Sequence, residues 1–371
     1  MRIGVPKEIK NHEYRVGLTP ASVRELALAG HEVLVQKDAG TAIGMLDSHY
    51  VAAGARIAPD AATVFSDADM IVKVKEPQLP ECAMLKPGQI LYAYLHLAAD
   101  AAQTKALMQS GAICVAYETI TGPGGGLPLL APMSEVAGRM SIQAAATHLE
   151  KVRGGKGVLL GGVPGIAAAH VVILGAGVVG RNALQMAVGL QARVTVIDKN
   201  LAGLRELDQI YGNRITTLYS TTPAIEEAVS SADAVIGAVL LPGAAAPKLV
   251  THGMIHQMQP GSVIVDVAID QGGCFETSRP TTHAEPTFVV DEVVHYCVAN
   301  MPGAVARTST LALNNATLPH ALSLANQGWQ AAMQANEHLR RGLNVCHGKV
   351  TYQAVAESLG LPYTAAESLL A

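Results

Sequence analysis

The chain has 371 residues, half of them apolar and 15 % charged, with a formal net charge of −4. That length exceeds one ordinary core, so two domains are expected. The charge balance, without any basic run or arginine-rich helix, gives nucleic acid no footing. No stretch reaches the roughly 18 to 20 apolar residues that span a bilayer, so neither a membrane anchor nor a membrane partner is expected.

Residues 1–130 alternate short apolar runs with helical patterns. Ile3–Val5, Glu32–Gln36, Met70–Lys75, Gln89–Leu97 and Ala112–Glu118 read as strands, with Pro20–Ala29, Ala61–Ser66 and Asp100–Ser110 as helices between them. Such alternation builds βαβ units on a parallel sheet. The glycine-proline run Pro123–Pro128 breaks it, and Ser134 is placed to cap a helix running to about Val152. A Gly-rich segment, Gly154–Gly165, leads to a second series. Its strands are expected at Ile215–Tyr219, Ala234–Leu241, Ser262–Asp270 and Val293–Asn300, after a strand–turn–helix unit at residues 171–190 and strand Ala192–Ile197. Beyond Met301-Pro302-Gly303 the tail reads as helices, Thr308–Asn326, interrupted by Pro319, and Gln330–Leu343. With apolar faces to bury and no sheet of their own, they are expected to return to the first domain.

The expected fold class is therefore α/β: two Rossmann-like doubly wound domains with mostly parallel sheets, joined by long helices with a cleft between. Residues 1–129 with 308–371 form the substrate domain, and 130–307 the nucleotide-binding domain. The cysteines Cys82, Cys114, Cys274, Cys297 and Cys346 are odd in number and include no CxxC pair. They read as reduced, inert thiols in a cytoplasmic protein without a metal site. The N-terminus reads as a short strand running into charge, not as a signal peptide.

The most specific motif is Val-Val-Ile-Leu-Gly-Ala-Gly-Val-Val-Gly, residues 171–180. Gly175 permits the tight turn, Gly177 lets backbone approach a pyrophosphate, and Gly180 lets helix Val178–Leu190 pack close to the strand. The positive end of that helix then faces the phosphates. Asp198, where the next strand stops, is placed to bond the adenosine ribose hydroxyls and to repel a 2′-phosphate, favouring NAD over NADP. The plainer alternatives are a glycine turn without a ligand and a solvated carboxylate.

The N-terminal strands share a second pattern: their carboxyl ends carry polar chemistry. Lys75, His96 and Glu118 end three of them, and Arg15 follows the first. Ligands of open α/β sheets bind outside those ends, so Arg15, Lys75 and His96 are expected to converge. Arginine offers a fork for a carboxylate, lysine a point charge, and histidine an acid–base group. Solvated cations and a core histidine are the competing readings. From the second series, Asp270 can orient water or ammonia or balance a charged intermediate, or simply start a turn before Gly272-Gly273. Asp266 reads as a structural carboxylate. Asn300 can bond the nicotinamide side or serve a turn.

Several longer segments carry a family resemblance. Lys7-Glu-Ile-Lys-Asn-His-Glu-Tyr-Arg-Val, Val72-Lys-Val-Lys-Glu-Pro, Tyr94-Leu-His-Leu, Pro132-Met-Ser-Glu-Val-Ala-Gly and Val267-Ala-Ile-Asp-Gln-Gly-Gly-Cys-Phe-Glu resemble alanine dehydrogenases. The resemblance covers essentially the whole chain. It implies reversible NAD-dependent deamination of L-alanine to pyruvate and ammonia by a homohexamer with a discontinuous substrate domain. Arg15 and Lys75 would bind substrate, and His96 and Asp270 would be catalytic. The implied NAD contacts are Ser134, Val178, Val179, Asp198, Ser220, Val239, Leu240, Ile269, Asp270, Arg279, Asn300 and Met301. Gly203 stands where relatives can place a basic residue near the adenosine end and offers no side chain for that contact. On this reading His96 must be neutral to accept a proton during alanine oxidation, so turnover should rise with pH. The rival reading is the NAD-binding subunit of proton-translocating transhydrogenase, which is similar in fold.

Overall fold

The structure, a computed structural model, describes residues 1–239 and 246–370. The expected strand Ala234–Leu241 therefore runs partly outside the described residues, and Leu240 lies wholly outside them. The chain divides into one unit of Met1–Met133 with the tail from Val305, and a second unit of Ser134–Ala304.

In the first unit the strands are β1 (Arg2–Val5), β2 (Glu32–Gln36), β3 (Arg56–Ala58), β4 (Met70–Val72), β5 (Ile90–Ala93) and β6 (Ile113–Ala116). β4, β5 and β6 are buried at every position, which is why their sequences are continuous apolar runs rather than alternations. β1 pairs in parallel with β2 on one side and β4 on the other. Strand order reverses between β1 and β4, and the crevice at such a reversal is where α/β sheets take ligands.

The second unit contains β7 (His170–Leu174), β8 (Arg193–Asp198), β9 (Ile215–Tyr219), β10 (Ala234–Gly237), β11 (Val263–Asp266), β12 (Thr287–Val290) and β13 (Val293–Tyr296). Their order is β12-β13-β11-β10-β7-β8-β9, with β12 antiparallel to β13 and the other pairs parallel. Val171, Ile173 and Val194 pack on one face with Ala183, Leu184 and Ala187 of the following helix, Val178–Gly189. Val172, Leu174 and Val235 pack on the other face with Ile225 and Val229. Each such valine, leucine or isoleucine removed from water contributes about 1.5–3 kcal/mol, so both faces hold the sheet. Here the order reverses between β7 and β10.

The tail departs from expectation. Helix Ala306–Gln327 runs through Pro319 without interruption, on an exposed face. Asn314 ties this helix down: its Oδ1 accepts from the Thr19 N–H and the Ser22 hydroxyl, both at 2.8 Å, and its Nδ2 donates to the Gly17 carbonyl at 3.2 Å. The expected helix Gln330–Leu343 is instead Trp329–Ala335 and Glu337–Arg340, because the Asn336 side chain accepts from His338 and Leu339 N–H and starts a new helix. The chain then forms β14 (Leu343–Cys346), antiparallel to β6, and β15 (Lys349–Val350), antiparallel to β14, which extend the first sheet. The tail thus brings strands as well as helices.

A further correction concerns Ser134. Its helix, Ala131–His148, begins three residues earlier, with Pro132 in the first turn, where a missing N–H costs nothing. Ser134 is in that first turn and is not the cap. All five cysteines are free and buried. Among the described residues no helix is long and apolar enough to cross a membrane.

Candidate active site

The strands expected to reach Lys75, His96, Glu118 and Asp270 all stop short of them, at Val72, Ala93, Ala116 and Asp266. The chain leaves the ladder at those points, and carboxylates take up the amides that neighbouring strands no longer bind. After β4, Glu8 Oε1 accepts from the Val74 N–H at 2.7 Å and the Lys75 N–H at 3.3 Å. After β5, Glu118 accepts from the His96 N–H at 2.6 Å and from the Leu95 N–H at 3.2 Å. After β11, Asp266 accepts from the Ala268 N–H at 3.2 Å, the Cys274 N–H at 2.9 Å and the Ser278 hydroxyl at 2.6 Å. Three turns that carry candidate residues are each held by a carboxylate.

In the first unit this brings Arg15, Lys75 and His96 to one corner of the sheet. Glu8 and Tyr94 both act electrostatically on Arg15, while Glu8 holds the Lys75 amide and the Tyr94 ring stacks on His96 at 5.8 Å. Gly17 makes the approach possible, since a Cβ there would lie 2.3 Å from the Val72 carbonyl oxygen. Arg15 is only 2 % exposed. Its Nε and Nη2 are bound by Glu13 at 2.7 and 2.6 Å, and its Nη1 lies 3.1 Å from Met133 Sδ. One side of the fork is thus committed to Glu13, a partner that sequence reasoning did not name. The Lys75 ammonium is 3.9 Å from Glu76, which also pairs with Lys10. Burial raises the Glu76 carboxyl, but Lys75 and Lys10 outweigh it and hold the group below the usual carboxylate range.

His96 is no core histidine. Its side chain is 45 % exposed, and its backbone is left-handed at φ 51° and ψ 38°, a conformation uncommon for a side-chain-bearing residue. Glu118 fixes that turn through the backbone and lies 4.0 Å from Nδ1. Below the corner, Lys73 is 0 % exposed, between Glu8 at 2.9 Å and Glu81 at 2.8 Å. Burial alone would lower its pKa, yet the two carboxylates raise it, so the ammonium stays charged. An isolated Lys73 in an apolar run was the available sequence signal: a buried lysine demands carboxylates.

In the second unit Gly175 has φ +102°, and a Cβ there would lie 2.8 Å from the Ala238 carbonyl. A Cβ on Gly180 would lie 1.8 Å from the Gly175 carbonyl oxygen, so helix and turn meet through bare backbone. At Gly177, in contrast, nothing lies within 4 Å of that position. Gly177 caps helix Val178–Gly189 without a side-chain hydrogen bond, so the amides of the first turn, at Val178 and Val179, have no side-chain cap and are placed for an anion. The Asp198 carboxylate accepts from the Ala176 N–H at 2.6 Å and the Asn200 N–H at 2.7 Å, joining the glycine turn to the next helix. Each oxygen has a further lone pair for a hydroxyl. These features fit a dinucleotide: an open cradle over amides, and a fixed carboxylate at the next strand end.

The remaining positions are distributed around this edge. Ser220 follows β9, with its N–H donating to the Asp198 carbonyl at 3.0 Å, and half-buried Val239 follows β10. Ile269 is buried and Asp270 exposed in the turn Val267–Gln271. The Arg279 guanidinium lies 4.2 Å over the Phe288 ring, a cation–π contact. Asn300 is left-handed at φ 65°, and its carbonyl accepts from His283 Nε2 at 3.1 Å. Met301 is buried, so a ligand could meet its backbone more readily than its side chain.

Comparison with known proteins agrees along the length of the chain. The family described as alanine dehydrogenase/PNT, N-terminal domain, matches residues 4–137, and the corresponding C-terminal domain family matches residues 141–353. The alanine dehydrogenase of Halomonas elongata is 62 % identical over 370 residues, covering 100 % of both chains. A solved L-alanine dehydrogenase superposes with a TM-score of 0.95 at 51 % identity, covering 97 % of this chain and 99 % of that one. A transhydrogenase from Sinorhizobium meliloti shares the fold, at TM-score 0.81 and 24 % identity over 95 % of this chain and 100 % of its own. The chain belongs to the alanine dehydrogenase/PNT family.

Proposed function

We propose that this chain is an NAD-dependent L-alanine dehydrogenase, interconverting L-alanine with pyruvate and ammonia. The observation that carries the reading is the corner of the first sheet where Arg15, Lys75 and His96 come together on turns clamped by carboxylates. Arg15, steadied by Glu13, binds the substrate carboxylate through its Nη groups. Lys75 meets the carbonyl oxygen of pyruvate or the carboxylate. Both fix the reacting carbon in a near-attack geometry.

The second unit would hold the dinucleotide, Gly177 and the first-turn amides of Val178 and Val179 taking its pyrophosphate and Asp198 its ribose hydroxyls. NAD supplies the acceptor for the α-hydride of alanine. His96, which is exposed, takes a proton from the water that adds to the resulting iminium carbon and passes it to the nitrogen as the C–N bond breaks and ammonia leaves; amination runs the same steps in reverse. Asp270 balances the cationic iminium. Ser134, Ser220, Val239, Ile269, Arg279, Asn300 and Met301 complete the NAD contacts. Assembly as a homohexamer in the cytoplasm belongs to the same proposal, and light scattering on the purified protein tests the assembly.

The reading predicts that L-alanine and NAD yield NADH, pyruvate and ammonia in equal amounts. His96→Ala should lower turnover at least about a hundredfold, the lower bound for losing an acid–base group, while NADH still binds. NADH formation without pyruvate, or a His96→Ala variant with near-normal turnover, would overturn it.

A further inference from the structure

Two carboxylates share the buried Lys73 ammonium, and they differ in what their other oxygens hold. Glu81 directs its second oxygen to the Gln78 N–H at 2.8 Å, closing the short helix Leu79–Cys82. Glu8 stands three residues past β1, beside the end of the neighbouring parallel strand β4. Its second oxygen receives the Val74 and Lys75 amides at 2.7 and 3.3 Å. The two groups are alike in burial and in partner; one reaches the turn of Lys75 and the other does not.

The same anchor is braced towards His96. The Lys73 carbonyl accepts from the Tyr117 hydroxyl at 3.0 Å, the Tyr117 ring packs edge-on against Tyr94 at 5.1 Å, and Tyr94 stacks on His96. Lys73 therefore serves as a fixed point under both sides of the corner, and Glu8 transmits its position to the Lys75 turn.

We infer that Glu8, anchored on Lys73, is a positioning residue for Lys75, setting the turn from which the Lys75 ammonium meets the pyruvate oxygens. The inference rests on the alanine dehydrogenase reading above. A glutamine at position 8 can turn its oxygen to Lys73 or to the two amides, but not to both, because its other terminus is a donor. The same substitution at Glu81 sets Lys73 against the Gln78 amide in the same way. A merely structural role makes the two variants equivalent.

The test compares Glu8→Gln with Glu81→Gln in the full-length protein. Thermal melting, NADH affinity, and the KM and kcat for pyruvate at saturating NADH and ammonium are measured. Both variants should lose similar stability and keep NADH affinity within about twofold. Glu8→Gln should raise the pyruvate KM about tenfold, the scale of one lost hydrogen bond to a charged group, with a smaller fall in kcat; Glu81→Gln should leave KM within about twofold. Equal KM shifts in the two variants, or none in either, would overturn the inference. If a glutamine variant fails to fold, Glu8→Asp against Glu81→Asp gives the same comparison, since each keeps the charge and withdraws the reach. A failure of the underlying reading looks different: the wild-type protein itself would not oxidise NADH with pyruvate and ammonium.

Discussion

Gly177→Ala separates cofactor binding from folding. In the folded protein the added methyl has nothing within 4 Å, and φ −74° with ψ −164° is open to alanine. Two small effects oppose each other: alanine is a poorer helix cap than glycine, and it restricts the unfolded chain by about 0.4–1 kcal/mol. Stability should therefore change by no more than roughly 0.5 kcal/mol, a Tm shift within about 2 °C. With a pyrophosphate over the first-turn amides, the same methyl occupies the approach path. Losing one hydrogen bond to a charged group, about 1.5–3 kcal/mol, weakens NADH binding about ten- to 150-fold. Gly180→Ala is the contrast: its methyl meets the Gly175 carbonyl oxygen at 1.8 Å, so folding itself should lose about 3 kcal/mol. The assays are thermal melting without ligand and NADH titration by fluorescence. A Gly177→Ala protein with unchanged Tm and NADH affinity within twofold of wild type would refute the assignment of the phosphate site.

Asp198→Ser removes the charge that disfavours a 2′-phosphate, so the ratio of NADPH to NADH KM should fall at least about tenfold; an unchanged ratio would move the ribose elsewhere. Stability should also depend on pH through buried imidazoles. Burial depresses the pKa of His170, His295 and His320 below the ordinary histidine value. Between the folded and unfolded values the unfolded chain binds protons that the folded chain does not. This stabilisation is therefore complete above about pH 6.5 and is lost as pH falls from there through the folded values. For His295 burial outweighs the Val293 carbonyl, which accepts from Nδ1–H at 2.9 Å and favours the charged ring, while Nε2 bonds the Thr277 hydroxyl at 2.7 Å. Melting from pH 8 to 5 should show this decline, and His295→Gln should make it shallower; an equal slope would remove His295 from the account.

The sequence made the layer architecture legible because buried parallel strands are short continuous apolar runs, and the glycine turn at Gly175–Gly180 carries its own steric logic. It was less informative where tertiary partners decide. β14 is not legible as a strand: the expected helix runs to Leu343, and nothing local marks Leu343–Cys346 as the antiparallel partner of β6. Serine is a common cap, so Ser134 fits a helix start as well as Pro132 does, and only the backbone shows that the helix begins at Ala131. The candidate residues Lys75, His96 and Asp270 are visible as polar groups at the ends of apolar runs, and Arg15 as a cation in the polar loop after the first. Their supports are not: Glu118 shows as a strand end but not as the partner of the His96 turn, and Glu8 and Glu13 act across 67 and 2 residues of sequence from loops that give no local signal of burial.

The central claim, that this chain couples NADH to the amination of pyruvate, is tested most directly by following NADH oxidation with pyruvate and ammonium together and with each omitted. The account predicts consumption that requires both and yields L-alanine. Oxidation of NADH by pyruvate with or without ammonium would contradict it.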